Sequence, residues 1–232
     1  MLSKGVKAGK ETAGEKNIKG DRTMHKGVFK GDHLSMNQNM LILGESHHHA
    51  EPNDLNYTTE SVVKNYFSNP NDPAYRFFDK IAACFGFSAS ERERFWSQVW
   101  FGNYVDESDC GIGDNKAIEL VKKNRDTYNR ELFEFVNQNG IDIIFCFSRL
   151  VYNNLPGRAS FEDKAKNYPI PDICGKPYSD YIRKFIYKPG ARANNDVELY
   201  KPLTVYGFRH PSSKGGFNYA HYMDYLKEEI QF

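Results

Sequence analysis

The chain has 232 residues, with 40% hydrophobic and 26% charged residues, a size that supports one domain around a sizeable buried core. A formal net charge of +1 excludes the broad electrostatic attraction to nucleic acid that strongly basic proteins show, so any DNA contact needs a local basic patch. No apolar run approaches the ~18 residues of a membrane span, and the N-terminus lacks an apolar signal core.

Residues 1–35 are rich in Lys, Gly and polar residues, with little apolar periodicity, and read as a flexible basic extension. Such a tail could track DNA, but a solvated tail is the simpler reading. The folded body is expected over 36–232. Met40-Leu-Ile-Leu-Gly44 has the form of a buried parallel strand ended by glycine. Asp72-Pro73 opens a helix to about Gly86, with Phe77, Phe78, Ile81 and Phe85 recurring on one face. Ser88 and Glu91 form a capping box for a helix into Trp96. Gln98-Val-Trp-Phe101 is a second strand, leading into Gly102-Asn103-Tyr104.

A long helix runs from Asp114 to a stop at Gly140. Ile141–Phe147 is a third strand, and Ser148 starts a short helix towards Leu155. Residues 156–176 read as an irregular connection, and a helix is expected at about 178–187. Leu203–Tyr206 is a fourth strand, running into Gly207-Phe-Arg-His-Pro-Ser-Ser213. A final amphipathic helix covers about 218–230. Strands alternating with helices predict a three-layer α/β/α sandwich with a central, mostly parallel four-stranded sheet. The ligand crevice of such a sheet lies beyond the carboxyl ends of its strands. Three of the four strands end there in unusual polar segments, around Glu45, Asn103 and His210.

Gly44 allows close backbone approach to a ligand, and Glu45 then stands at the crevice mouth, placed to activate water or to cap a helix. The run His47-His48-His49 suggests a metal, yet adjacent residues point in different directions and no Cys or carboxylate cluster accompanies them, so no metal is expected. Asn103 offers a donor and an acceptor to a base edge, or bonds its own loop. Pro211 holds His210 extended, where its imidazole can donate to a developing anion or simply form a surface turn. Arg209 and Lys214 flank it with positive charge. The cysteines at 84, 110, 146 and 174 have no CxxC spacing; Cys84 and Cys146 fit buried free thiols and a reducing cytoplasm.

Together, Leu41-Ile-Leu-Gly-Glu-Ser-His-His48, Val99-Trp-Phe-Gly-Asn-Tyr-Val105, Ile141–Leu155 and His210-Pro-Ser-Ser213 resemble, in order and spacing, the motifs of the uracil-DNA glycosylase superfamily. The resemblance runs from about residue 40 to 225. It implies a monomeric, cofactor-free DNA-repair hydrolase that flips a base from the stack into its pocket and cuts the N-glycosidic bond of uracil or another deaminated base. It implies catalytic roles for Glu45, His210 and Ser46. Gly44, His47, Asn103, Tyr104 and Ser212 would bind the base, and Arg209, Ser213 and Lys214 the DNA.

The chain also departs from the family. Ser46 stands where many members carry Asp or Asn, so Glu45 is the substitute carboxylate. His47 replaces the usual Pro, and Lys214-Gly-Gly-Phe217 replaces the wedge segment. Two alternatives follow. The fold could bind a base or nucleotide without catalysis, or Ser46 and His210 could serve a serine esterase. The second lacks its usual carboxylate three residues before the histidine, where Gly207 stands.

Overall fold

Four apolar runs form the centre of the sheet. In the computed structural model the described residues are 27–34, 37–47, 58–69, 71–105, 116–157, 166–171, 177–193, 196–213 and 217–230. The strands and helices, in chain order, are β1 (Phe29–Lys30), β2 (Met40–Ser46), α1 (Thr59–Ser68), α2 (Arg76–Cys84), α3 (Arg92–Trp96), β3 (Trp100–Val105), α4 (Lys116–Asn139), β4 (Ile143–Cys146), α5 (Arg149–Asn154), β5 (Lys166–Pro171), β6 (Pro177–Tyr187), β7 (Arg192–Ala193), β8 (Val197–Glu198), β9 (Leu203–Gly207) and α6 (Tyr219–Glu229). The fold is α/β. No helix among the described residues is long and apolar enough to cross a membrane.

The sheet has seven strands, ordered β1-β3-β2-β4-β9-β6-β5, and not the four expected. The four expected strands are its parallel centre: β2 pairs in parallel with β3 and β4, and β4 with β9. The three additions are antiparallel and flank it: β1 on β3, β6 on β9, and β5 on β6. Strand β1 comes from the expected N-terminal extension, so its last residues join the sheet; Gly31 N–H donates to the Val99 carbonyl at 3.1 Å. The remainder, residues 1–26, lies outside the described residues.

The expected helix at 178–187 is strand β6. Ile182 packs in one core, and Phe185 and Tyr187 pack in the other. Over residues 182–187 both faces of β6 join a core, so the one-sided alternation that marks a half-exposed strand is absent there, and the spacing Ile182, Phe185, Ile186 mimics a helix. The expected irregular connection 156–176 contains β5. Helix α1 was not foreseen; Thr58 caps it by accepting from Ser61 N–H, and Val62, Val63 and Tyr66 bury its inner face.

Apolar side chains leave the central strands alternately. Met40 and Ile42 of β2 pack with Val63 and Tyr66 of α1, Phe78 and Ile81 of α2, Trp96 of α3 and Tyr222 of α6. Leu41 and Leu43 pack with Val121, Leu132 and Val136 of α4 and Val151 of α5. Helix starts and stops follow the expected chemistry, with single 3₁₀ turns at Pro73–Tyr75 and Ala89–Glu91 leading into α2 and α3. Asp72 Oδ1 accepts from Ala74 N–H at 2.9 Å, the Ser88–Glu91 capping box is formed, and Gly140 turns at φ +60° after α4.

Cys84 and Cys146 are buried free thiols, as expected; Cys110 and Cys174 lie outside the described residues. Burial pushes Cys146 up to about 12 and raises Cys84, Tyr104 and Tyr187 well above their usual values. Above pH ~9 the unfolded chain therefore releases protons that the folded chain retains, and stability falls. Each thiol contributes a slope of about 1.4 kcal/mol per pH unit above pH ~9, and each tyrosine the same above pH ~10. Urea midpoints are expected to hold steady up to about pH 8 and to fall steeply towards about pH 11. A flat profile across that range would show that these groups ionise in place.

Candidate functional site

Strand register brings the polar segments to one end of the sheet. Gly102, Leu43, Cys146 and Gly207 form one row across β3, β2, β4 and β9. This row ends β4 and β9, while β2 and β3 continue three residues further as a pair, to Ser46 and Val105. Only β4 separates β2 from β9, so the ends bearing Ser46 and His210 lie roughly 10 Å apart, two strand spacings.

Side-chain direction then divides the candidates between the two faces. Asn103 sits opposite Gly44 and is 6% exposed. Its Oδ1 occupies the space where a Cβ on residue 44 would stand, which explains the glycine at this position of β2. The Nδ2 end meets His47, 3.3 Å from Nε2 and 3.5 Å from Nδ1. His47 is itself buried, with Nε2 3.2 Å from the Thr59 hydroxyl at the start of α1. Ser46, 9% exposed, has a hydroxyl without a hydrogen-bond partner among the described residues. A buried hydroxyl left unpaired costs about 1–3 kcal/mol, so Ser46 Oγ is a group that a polar ligand would satisfy. His48 and His49 lie outside the described residues.

His210 is half-buried and lies against Phe77 of α2, ring centroids 5.3 Å apart at 35°. Its Nδ1 accepts from Ser212 N–H at 3.2 Å, and its carbonyl accepts from Ser213 N–H at 2.9 Å. In a neutral ring the proton is then on Nε2, the form needed to donate to an anion. Lys80 Nζ donates to the Pro211 carbonyl at 2.7 Å and ties this turn to α2. Arg209 and Ser213 are half-buried beside it and Ser212 is exposed, while Lys214 lies outside the described residues.

Glu45 and Tyr104 leave the sheet on the other face. Glu45 Oε2 accepts from the Ser148 hydroxyl at 2.6 Å, and Ser148 Oγ in turn accepts from Val151 N–H at 3.2 Å, capping α5. Tyr104 points into the core beneath α4, where its hydroxyl donates to Asn129 Oδ1 at 2.8 Å, and burial raises its pKa. Tyr104 is thus a packing residue and does not join Asn103.

The structure brings together Gly44, Ser46, His47 and Asn103, with His210 linked to the same face through Phe77. Phe77 also touches Phe101, ring centroids 6.3 Å apart. Sequence reasoning missed Thr59 and Lys80, and the bond of the helix-starting Ser148 to Glu45; their partners are about 12, 131 and 103 residues away. The cap signal Thr58-x-x-Ser61 is the one local hint that could have located Thr59.

The esterase arrangement is not formed. Among the described residues Ser46 Oγ makes no hydrogen bond to His210 or to any other group. The ring of Tyr152 fills the space beside Gly207, so the orienting carboxylate of that class has no room there. No protein-family model matches the chain, and no curated protein matches it.

Proposed function

We propose that the chain is a divergent protein of the uracil-DNA glycosylase type, in the three-layer α/β/α arrangement of that superfamily, hydrolysing the N-glycosidic bond of uracil or another deaminated base in DNA. The observation that carries this reading is the Gly44–Asn103–His47 contact at the carboxyl ends of β2 and β3. A carboxamide is held there by neighbours on both of its ends, which is what a base-reading group requires.

In this mechanism the target nucleotide leaves the stack and enters the crevice. Asn103 pairs with the polar edge of the base. His210 donates from Nε2 to the oxygen that gains negative charge as the glycosidic bond breaks. Glu45 takes from the resemblance the role of activating the water that completes hydrolysis through an oxocarbenium-like state. Its carboxylate is bonded to Ser148 on the opposite face from Asn103, so this role requires the side chain to leave Ser148 and turn about the strand end. Arg209, Ser213 and Lys214 contact backbone phosphates, the local patch that a chain of net charge +1 needs. The missing hydrogen bond between Ser46 and His210 favours this reading over the esterase.

The test is base release from single- and double-stranded oligonucleotides carrying uracil, hypoxanthine or xanthine, scored by alkaline cleavage at abasic sites. Release is expected on at least one substrate. It should fall by about 100-fold or more in His210→Ala and in Glu45→Ala. A folded protein that makes no abasic site on any of them removes the enzymatic reading. Retained oligonucleotide binding would then identify a non-catalytic binding module.

A further inference from the structure

A carboxamide is nearly symmetric in shape and opposite in hydrogen bonding: Oδ1 accepts and Nδ2 donates. Turned one way, it pairs with a carbonyl beside an N–H. Turned the other way, it pairs with an amino group beside a bare ring nitrogen. Uracil, hypoxanthine and xanthine present the first edge; cytosine and adenine present the second. Which class fits a pocket is therefore decided by whatever fixes the amide, and not by the amide itself.

Both constraints on Asn103 come from the segment Gly44–His47. The carbonyl end lies over Gly44, where the absence of a Cβ leaves a slot for oxygen. The amino end meets the His47 ring, buried at 3% exposure and held by the Thr59 hydroxyl. An amide nitrogen only donates, and each ring nitrogen has one in-plane site. The tautomer that serves both neighbours therefore has Nε2–H donating to the Thr59 hydroxyl at 3.2 Å and Nδ1, 3.5 Å from the Asn103 nitrogen, accepting. One N–H of Asn103 is thereby used on His47, which leaves the other N–H and Oδ1 as a paired edge of defined polarity. The unpartnered, buried hydroxyl of Ser46 adds a second polar group in the same segment for a ligand to satisfy.

We propose that His47, backed by Thr59, is the positioning residue that sets base specificity. It holds the Asn103 amide in the orientation that takes the carbonyl and N–H edge of deaminated bases and refuses the amino edge of cytosine and adenine. The substrate part rests on the base-excision reading above; the orientation does not.

Three variants test this: His47→Phe, which keeps a ring but removes both nitrogens; His47→Gln, which restores an acceptor; and Thr59→Val, which removes only the supporting hydroxyl. Two readouts are needed. The first is the ¹H–¹⁵N signal of the Asn103 side-chain amide, which requires no activity. The second is the ratio of uracil to cytosine release from matched oligonucleotides. His47→Phe is expected to shift the amide signal and lower the ratio by at least about tenfold, the discrimination typical of a paired polar edge. His47→Gln should restore both, and Thr59→Val should move both in the same direction by less. A protein that releases uracil with an unchanged ratio and an unmoved amide in His47→Phe, or in Thr59→Val should His47→Phe not fold, overturns the role of His47 alone. An amide that responds as expected in a protein that releases no base overturns the base-excision reading, and with it the specificity assigned to His47.

Discussion

Gly44→Ala is expected to abolish base release and leave the fold intact. The backbone at residue 44 lies in a strand and is not in the left-handed region, so alanine is acceptable there on conformational grounds. What a Cβ meets is Oδ1 of Asn103, the far end of a side chain that can rotate. The strand pair therefore survives and the amide moves. That motion breaks the contact with His47 and turns the reading edge away from the base. A displacement of about 1 Å in a positioning group costs on the order of 100-fold in rate, and a loss at least that large is expected in kcat/KM. The urea midpoint should change by no more than about 1 kcal/mol equivalent. Full activity in a folded Gly44→Ala protein would mean that Asn103 does not read the base.

The same residues show which parts of the molecule were legible in the sequence. The four central strands carry continuous apolar runs because both of their faces are buried, and such runs are visible without any contact information. The caps at Asp72, Ser88 and Ser148 and the stop at Gly140 are local chemistry and were equally visible. Strand β6 was not, because its apolar residues serve two cores at once and their spacing imitates a helix. Within the site, Gly44, Asn103 and His210 stood out as polar residues at strand ends. Their division between faces did not, since a shift of one residue along a strand reverses a side chain. Glu45 and Ser46 illustrate it: neighbours in sequence, one bonded to Ser148 at α5 and the other on the face that carries Gly44 and Asn103.

Gly207→Ala should behave in the opposite way to Gly44→Ala and destabilise the whole domain, by about 3 kcal/mol or more. Here the added Cβ meets the ring of Tyr152, not the tip of a mobile chain. Tyr152 is 7% exposed, packs on Phe185 with ring centroids 5.1 Å apart, and lies under the Arg183 guanidinium at 5.8 Å. Gly207 is paired on both sides, with Cys146 of β4 and Arg183 of β6, so β9 cannot retreat. Helix α5 cannot retreat easily either, because Ser148 both caps it and holds Glu45. Relief has to come from the ring itself. The Gly207→Ala, Tyr152→Ala double variant is therefore expected to lose less than the sum of the two single losses, with a coupling of at least about 1 kcal/mol in a double-mutant cycle of urea denaturation. Independent, additive effects would show that the ring moves aside without cost. In that case residue 207 could accept a larger side chain, and the steric argument against an orienting carboxylate for His210 would fall with it.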